Sequence, residues 1–214
     1  MRAEPTAFLV DDDPDVREAI LGLLGSVAIR AETYGSVEAF VASGGIGRCG
    51  CLVLDVRLTG QSGIAFQREL ARMRVAMPII FISGHADVPM AVQAMKGGAL
   101  EFLIKPVRPQ DLIDAVRQAF LVDHEKRARV EELSSAAQAY ALLTARERDV
   151  LEMVVAGKRN KRSASQLGIT EATVKAHRSN IMRKLGVESV PELIRIYGEF
   201  TALKPVGSAG PPTG

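Results

Sequence analysis

Five times in the first 120 residues a short apolar run gives way to a helical pattern, and four of those runs end in a reactive side chain. Phe8-Leu9-Val10 leads into Asp11, Asp12 and Asp13. Leu52-Val53-Leu54 ends at Asp55, Ile79 to Ile82 ends at Ser83, and Leu100 to Ile104 ends at Lys105. Short apolar runs that alternate with helical periods form parallel strands joined by crossover helices. Helices then cover both faces of the sheet. In such sheets the ligand site lies outside the carboxyl ends of the strands. The spacing therefore predicts one pocket holding several carboxylates, a hydroxyl and an ammonium, a set suited to a divalent cation and a phosphoryl group.

Strands are expected near 6–11, 28–33, 50–55, 78–83 and 100–104, and helices near 14–25, 36–43, 62–73, 87–96 and 109–120. Pro14 suits a first helical turn, Gly35-Ser36 and Ser62 mark loop or N-cap positions, and Pro78 starts a strand. Asp111 through Leu133 contains no Pro or Gly, so the helix continues past the first domain. Ile113, Val116 and Phe120 share one face. The stretch from Asp123 to Arg129 reads as solvated and mixed in charge, and Asp123 and Arg127 interrupt any heptad seam. A long helical linker is favoured over an uninterrupted coiled coil.

A second, all-helical unit starts at Thr144, which forms a capping box with Glu147. Val150, Leu151, Val154 and Val155 give a buried stripe ended by Gly157. Further helices are expected near 160–167, 171–185 and 190–200, with Gly168 and Gly186 as stops and Thr170 as a cap. The expected organisation is a first domain over 1–120, a helical linker over 121–141, a helical domain over 142–204 and a disordered Gly/Pro/Ser-rich tail over 205–214.

Hydrophobic residues make up 47% and charged residues 24% of the 214, enough for packed cores. No apolar run approaches the length of about 20 residues that spans a bilayer, and no signal pattern opens the chain. No membrane association is therefore expected. Cys49 and Cys51 are too close to staple a fold and lack zinc-type companions, which favours a reduced cytoplasmic setting with Cys51 as a small core residue. Residues 1–120 carry 12 Lys/Arg against 14 Asp/Glu, whereas residues 141–214 carry 12 against 7. The positive excess in the last third suits a polyanionic partner there.

Capping accounts for one or two of the three consecutive aspartates but not for all three beside a fourth at Asp55. Clustered carboxylates repel one another and are tolerated where a hard cation neutralises them. In these residues the first domain resembles the receiver domain of two-component response regulators. The matching stretches are Phe8 to Asp13, Leu52 to Leu58 with Ser62-Gly63, Ile82-Ser83-Gly84-His85, and Phe102-Leu103-Ile104-Lys105-Pro106. The resemblance implies a flavodoxin-like five-stranded α/β fold with Asp55 as phosphoacceptor. It further implies Mg²⁺ as cofactor, held by Asp11, Asp12, Asp55 and the backbone carbonyl of Arg57. Ser83 and Lys105 would contact the phosphoryl oxygens, and Phe102 would be the switch aromatic. The face of helix 87–96, strand 100–104 and helix 109–120 would become a dimer surface on phosphorylation. Lys105-Pro106 is similar to a family bond that is usually cis. Thr59 departs from the pattern, standing where many receivers have proline, which loosens the loop but removes no chemical group.

The segment Thr170 to Gly186 is a capped helix with Val174, Ile181 and Leu185 on one face and Thr173, Lys175, Arg178, Ser179 and Arg183 on the other. With Asn160 to Ile169 before it, it forms a helix-turn-helix whose second helix can enter a major groove. Residues 144–200 resemble the LuxR-type DNA-binding domain, notably at Leu143 to Glu147, Leu167-Gly168-Ile169, Thr173-Val174-Lys175 and His177-Arg178. The resemblance implies a four-helix unit in which Lys175, Ala176 and Ser179 face bases and Lys161, Thr173 and Arg178 lie near phosphates. Arg183 joins the basic outer face, and the last helix is a dimerisation element in the family. His177 is either a core residue or a neighbour of a phosphate. Ser163 stands where the family usually has Ile or Val, so its hydroxyl either bonds a carbonyl one turn back or leaves the domain softer.

The combined expectation is a cytoplasmic, FixJ/NarL-type response regulator. Its partners would be a sensor histidine kinase, double-stranded promoter DNA, RNA polymerase and a second copy of the chain. Two rivals are a phosphorylation-independent DNA binder with a vestigial receiver and a Mg²⁺-dependent phosphohydrolase. Against the hydrolase, Val56-Arg57 follows Asp55 where aspartate-nucleophile hydrolases need a second acid two residues on.

Overall fold

The structure, a computed structural model, describes residues 4–84 and 88–203, apart from the side chains at 200, 202 and 203. The expected tail over 205–214, His85 and residue 87 of the expected fourth helix lie outside the described residues. The chain divides into two compact units, Met1–Arg127 and Ala128–Gly214.

The first unit is a five-stranded parallel sheet, β1 (Thr6–Val10), β2 (Ala31–Tyr34), β3 (Gly50–Asp55), β4 (Ile79–Ser83) and β5 (Glu101–Ile104), in the order β2-β1-β3-β4-β5. Helices α1 (Pro14–Ser26), α2 (Val37–Ala42), α3 (Gly63–Arg72), α4 (Val88–Lys96) and the start of α5 (Pro109–Ala141) alternate with the strands. Side-chain alternation splits each buried strand between two cores. Phe8, Val10, Leu52, Leu54, Ile79 and Phe81 pack with Phe40, Phe66 and Leu70 from α2 and α3. Ala7, Leu9, Cys51, Val53, Ile80 and Ile82 pack with Leu24, Leu112 and Val116 from α1 and α5. Cys51 is thus a core residue as expected, and burial pushes its thiol pKa up.

The predicted caps form. Asp13 accepts from the amides of Asp15 and Val16 ahead of Pro14, and the Ser36 and Ser62 hydroxyls cap α2 and α3. The second strand starts later than the expected 28–33. Val27-Ala28-Ile29 closes α1 instead: Ala28 takes a φ of 56° and the Ile29 amide returns to the Leu24 carbonyl at 2.9 Å. Ala28 and Ile29, expected to begin the strand, here complete a helix terminator.

The stretch from Asp123 to Arg129 also departs from expectation. Asp123 is buried, accepts from the Gly50 amide at 2.8 Å and pairs with Arg127 Nε at 2.7 Å. Arg127 Nη2 donates to the Gly47 and Arg48 carbonyls. A charge read as solvated therefore anchors α5 to the start of β3. Arg48 in turn makes a two-pronged ion pair with Glu32 and lies over the Phe8 ring, holding the Glu32 carboxyl down at about 2.

In the second unit α6 (Ala145–Val155), α7 (Asn160–Leu167), α8 (Glu171–Leu185) and α9 (Val190–Leu203) enclose Val150, Leu151, Val154, Val174, Ile181 and Leu193 together with Ala136 from the end of α5. The Thr144–Glu147 capping box is present. Glu147, nearly fully buried, also takes Lys184 Nζ at 2.7 Å, which together with the Thr144 amide lowers its pKa. Gly168 and Gly186 close α7 and α8 in the left-handed conformation.

Candidate functional site

β1 pairs with both β2 and β3, so the direction of strand order reverses beside β1, where parallel sheets open a crevice at their carboxyl ends. The register sets Val10 opposite Leu54, which places Asp11 and Asp55 side by side just past the two strands. Ser83 pairs with Ile104, and the Lys105 amide donates to the Ser83 carbonyl at 2.9 Å. All four strand-end residues thus converge on one edge of the sheet.

Asp11, Asp12 and Asp55 each offer a carboxylate oxygen, and the three atoms lie within 4.8 Å of one another. Lys105 Nζ reaches Asp11 Oδ2 at 2.7 Å and Asp55 Oδ2 at 3.1 Å. Burial pushes the Asp55 carboxyl above the usual carboxylate range, an effect that the Arg57 amide and Lys105 only partly offset. Burial disfavours the Lys105 ammonium, but Asp11 and Asp55 outweigh it and hold the proton more firmly than on an ordinary lysine. The Arg57 amide donates to Asp55 Oδ1 at 3.2 Å, which fixes the loop that carries the Arg57 carbonyl. The Lys105-Pro106 bond is cis.

Ser83 Oγ is fully buried and, among the described residues, is the buried side-chain polar atom that has no hydrogen-bond partner. An unpaired buried hydroxyl costs about 1–3 kcal/mol and calls for an explanation. A phosphoryl oxygen on Asp55 would supply the acceptor. Three converging carboxylates likewise fit a hard divalent cation, which prefers oxygen donors. Phe102 is half-buried, with its ring centroid 6.2 Å from that of Phe81.

Two contacts were not visible in the sequence. Arg17 Nη1 donates to the Asp11 carbonyl at 2.7 Å, one turn into α1. The Thr59 amide donates to Asp12 Oδ2 at 3.1 Å. The departure from proline at Thr59 therefore adds a chemical group, since proline has no N–H to offer.

In the second unit Lys161, Lys175, Ala176, Ser179 and Arg183 are exposed, and Thr173 and Arg178 are half-buried. Lys175, Ser179 and Arg183 follow at spacings of four and share one face of α8. Arg178 Nη1 donates to Asn160 Oδ1 at 2.8 Å, and Arg183 Nη2 to Asn180 Oδ1 at 3.2 Å. His177 is half-buried. Ser163 Oγ bonds the Arg159 carbonyl at 3.3 Å, one turn back, which resolves the alternatives for its hydroxyl.

Residues 7–117 match the response regulator receiver domain, and residues 141–197 match the luxR family of bacterial regulatory proteins. The chain belongs to the two-component response regulators that join a receiver to a LuxR-type DNA-binding domain, and it is a transcriptional regulator of that class. It is 44% identical over 193 residues to the response regulator protein TmoT of Ectopseudomonas mendocina, covering 90% of this chain and 88% of that protein. It is 38% identical over 191 residues to the transcriptional regulatory protein FixJ of Rhizobium meliloti, covering 89% and 94%. The solved structure of response regulator StyR aligns with a TM-score of 0.78 at 43% identity, covering 92% of this chain and all of that one.

Proposed function

We propose that a sensor histidine kinase phosphorylates this regulator on Asp55, and that phosphorylation promotes dimerisation and promoter binding. The observation that carries this reading is the orphaned hydroxyl of Ser83, at the strand end next to those of Asp55 and Lys105. An Asp55 carboxylate oxygen forms the new bond to phosphorus as the phosphorus–nitrogen bond of a phosphohistidine breaks, its electron pair returning to the imidazole. Lys105 offsets charge on the phosphoryl group, and Ser83 donates to one of its oxygens; positioning and electrostatics carry such transfers. Asp11, Asp12, Asp55 and the Arg57 carbonyl would hold a Mg²⁺, which when bound neutralises charge on the phosphoryl oxygens.

Drawing Ser83 toward the phosphoryl group vacates space that Phe102 fills, a two-state element biased by a local charge event. Val88, Val92 and Met95 on α4 and Ile104 on β5 are exposed apolar side chains on the face next to Phe102. A second copy of the chain is the occupant that fits it, because dimerisation matches paired DNA half-sites. Lys175, Ala176, Ser179 and Arg183 would face the groove of double-stranded DNA, with Lys161, Thr173 and Arg178 near phosphates. RNA polymerase is the further partner at the promoter. No helix among the described residues is long and apolar enough to cross a membrane, which fits a cytoplasmic setting. The functional modules are a receiver over 1–120, a linker over 121–141 and a DNA-binding domain over 142–204.

Treating the full chain with beryllofluoride is expected to raise its affinity for duplexes selected from a randomised pool by about 5- to 150-fold, the usual range of coupling between sites. Equal affinity in both states would instead favour a vestigial receiver. Lys175→Ala is expected to cost about 1–3 kcal/mol and to relax base preference in the enriched duplexes. An unchanged preference would remove Lys175 from the base contacts.

A further inference from the structure

We infer that Arg159 and Arg162, flanking Lys161 at the head of α7, grip phosphates of double-stranded DNA beside the outer face of α8. This rests on the DNA-binding reading above and adds residues that it does not include. Between Glu152 and Glu171 the chain has no acid and four cations, Lys158, Arg159, Lys161 and Arg162. Between Glu171 and Glu188 it has four more, Lys175, Arg178, Arg183 and Lys184. Among the described residues only Lys184 of these eight is ion-paired, to Glu147. The other ion-paired cations of this unit lie elsewhere: Arg129 with Glu132 and Glu199, Arg146 with Asp149, and Arg195 with Glu132. Apart from Arg148 on α6, which bonds the Ala141 carbonyl and lies over the Tyr140 ring, the uncompensated positive charge among the described residues of this unit is therefore segregated onto α7, α8 and the turn before α7.

Segregation of this kind has a cost that a purely structural surface would avoid. Arg159 and Arg162 are both exposed and one turn apart, where like charges repel. They also oppose the helix macrodipole, and Arg159 makes no side-chain cap bond. The first turns of α6 and α8 carry Glu147 and Glu171 instead.

The arrangement suits a dense, regular polyanion. The Arg178–Asn160 bond seats the first turn of α7 against the middle of α8, three residues from Lys175. A duplex whose groove receives α8 would bring its backbone to this corner, since the first helix of such a motif crosses the backbone. Arginine is the residue suited to a phosphate there, because its forked donors match two oxygens at once.

The test uses the beryllofluoride-treated full chain and a labelled mixed-sequence duplex of about 30 base pairs, long enough for both half-sites. Affinity is measured by anisotropy across a KCl series. Each phosphate contact contributes about 0.9 to the slope of log K against log salt, and a dimer on both half-sites carries two copies of the pair, so Arg159→Gln/Arg162→Gln should lower the slope by about 3.6 and weaken binding by much more than about tenfold near 0.1 M salt. The Arg159→Lys/Arg162→Lys pair should restore most of the slope. Sequences enriched from a randomised pool should be unchanged, because phosphate contacts carry no base information. A wild-type slope in the glutamine pair overturns the inference, as does a lysine pair that behaves like the glutamine pair. A wild-type chain that binds no duplex removes the DNA-binding reading itself, and this inference with it.

Discussion

Asp55→Asn is expected to abolish Mg²⁺-dependent phosphoryl labelling of the chain by acetyl phosphate or a kinase, by at least about a thousandfold, because the amide replaces the proposed nucleophile. The substitution should spare the fold. Asparagine is nearly isosteric, its carbonyl oxygen can keep the Arg57 amide, and Lys105 retains Asp11 at 2.7 Å. Loss of labelling in a folded protein then reports chemistry. Retained labelling at wild-type rates would move the phosphoacceptor away from Asp55. A second readout follows from burial. The folded-state pKa of Asp55 is raised, so in metal-free protein its contribution to stability is fully present below the unfolded value and is lost as pH rises through the folded one. At neutral pH with a chelator present, Asp55→Asn should therefore melt higher than wild type, and the gain should vanish in acid.

The pocket was legible because two independent periodicities agree. Alternation fixed the strands, and the rule that parallel sheets bind ligands at their carboxyl ends gave Asp11, Asp55, Ser83 and Lys105 a common location before any contact was known. The register of β1 against β3 then follows from burial on both faces, since a one-residue slip would turn Leu9 and Val53 into the wrong cores. The Thr144–Glu147 box was legible for the same reason, being a short-range pattern with one geometric solution. What failed depended on backbone groups and backbone conformations that a pattern of side chains does not show. Nothing near Val27-Ala28-Ile29 announces that the Ile29 amide folds back to Leu24, since alanine seldom takes a positive φ. The Thr59 amide matters only because Asp12 lies across the crevice. Asp123 reads as solvated on a helical wheel because the wheel cannot show the Gly50 amide, 73 residues away.

That misread carboxylate carries the largest expected effect on stability. Gly50 has a φ of 133°, and a Cβ there would sit 1.9 Å from the Thr6 carbonyl oxygen, so the strand start is confined to glycine with its amide turned toward α5. Asp123→Ala leaves this amide without its acceptor, at about 1–3 kcal/mol for a buried donor. The lost ion pair adds little, because Arg127 is 41% exposed in its side chain and keeps the Gly47 and Arg48 carbonyls. A total near 2 kcal/mol corresponds to a fall of roughly 6–10 °C in the melting transition of the first unit. Asp123→Asn keeps an oxygen for Gly50 and should fall by less than half as much. Amide exchange at Gly50 discriminates a local from a global cause: it should accelerate in the alanine variant more than exchange at Leu52 or Val53 in the same strand. Unchanged melting and unchanged Gly50 exchange would show that the bond contributes nothing. The predicted loss would instead make residues 121–127 a working part of the receiver, because the turn that begins the linker would be the one that closes the amino-terminal end of the strand bearing Asp55.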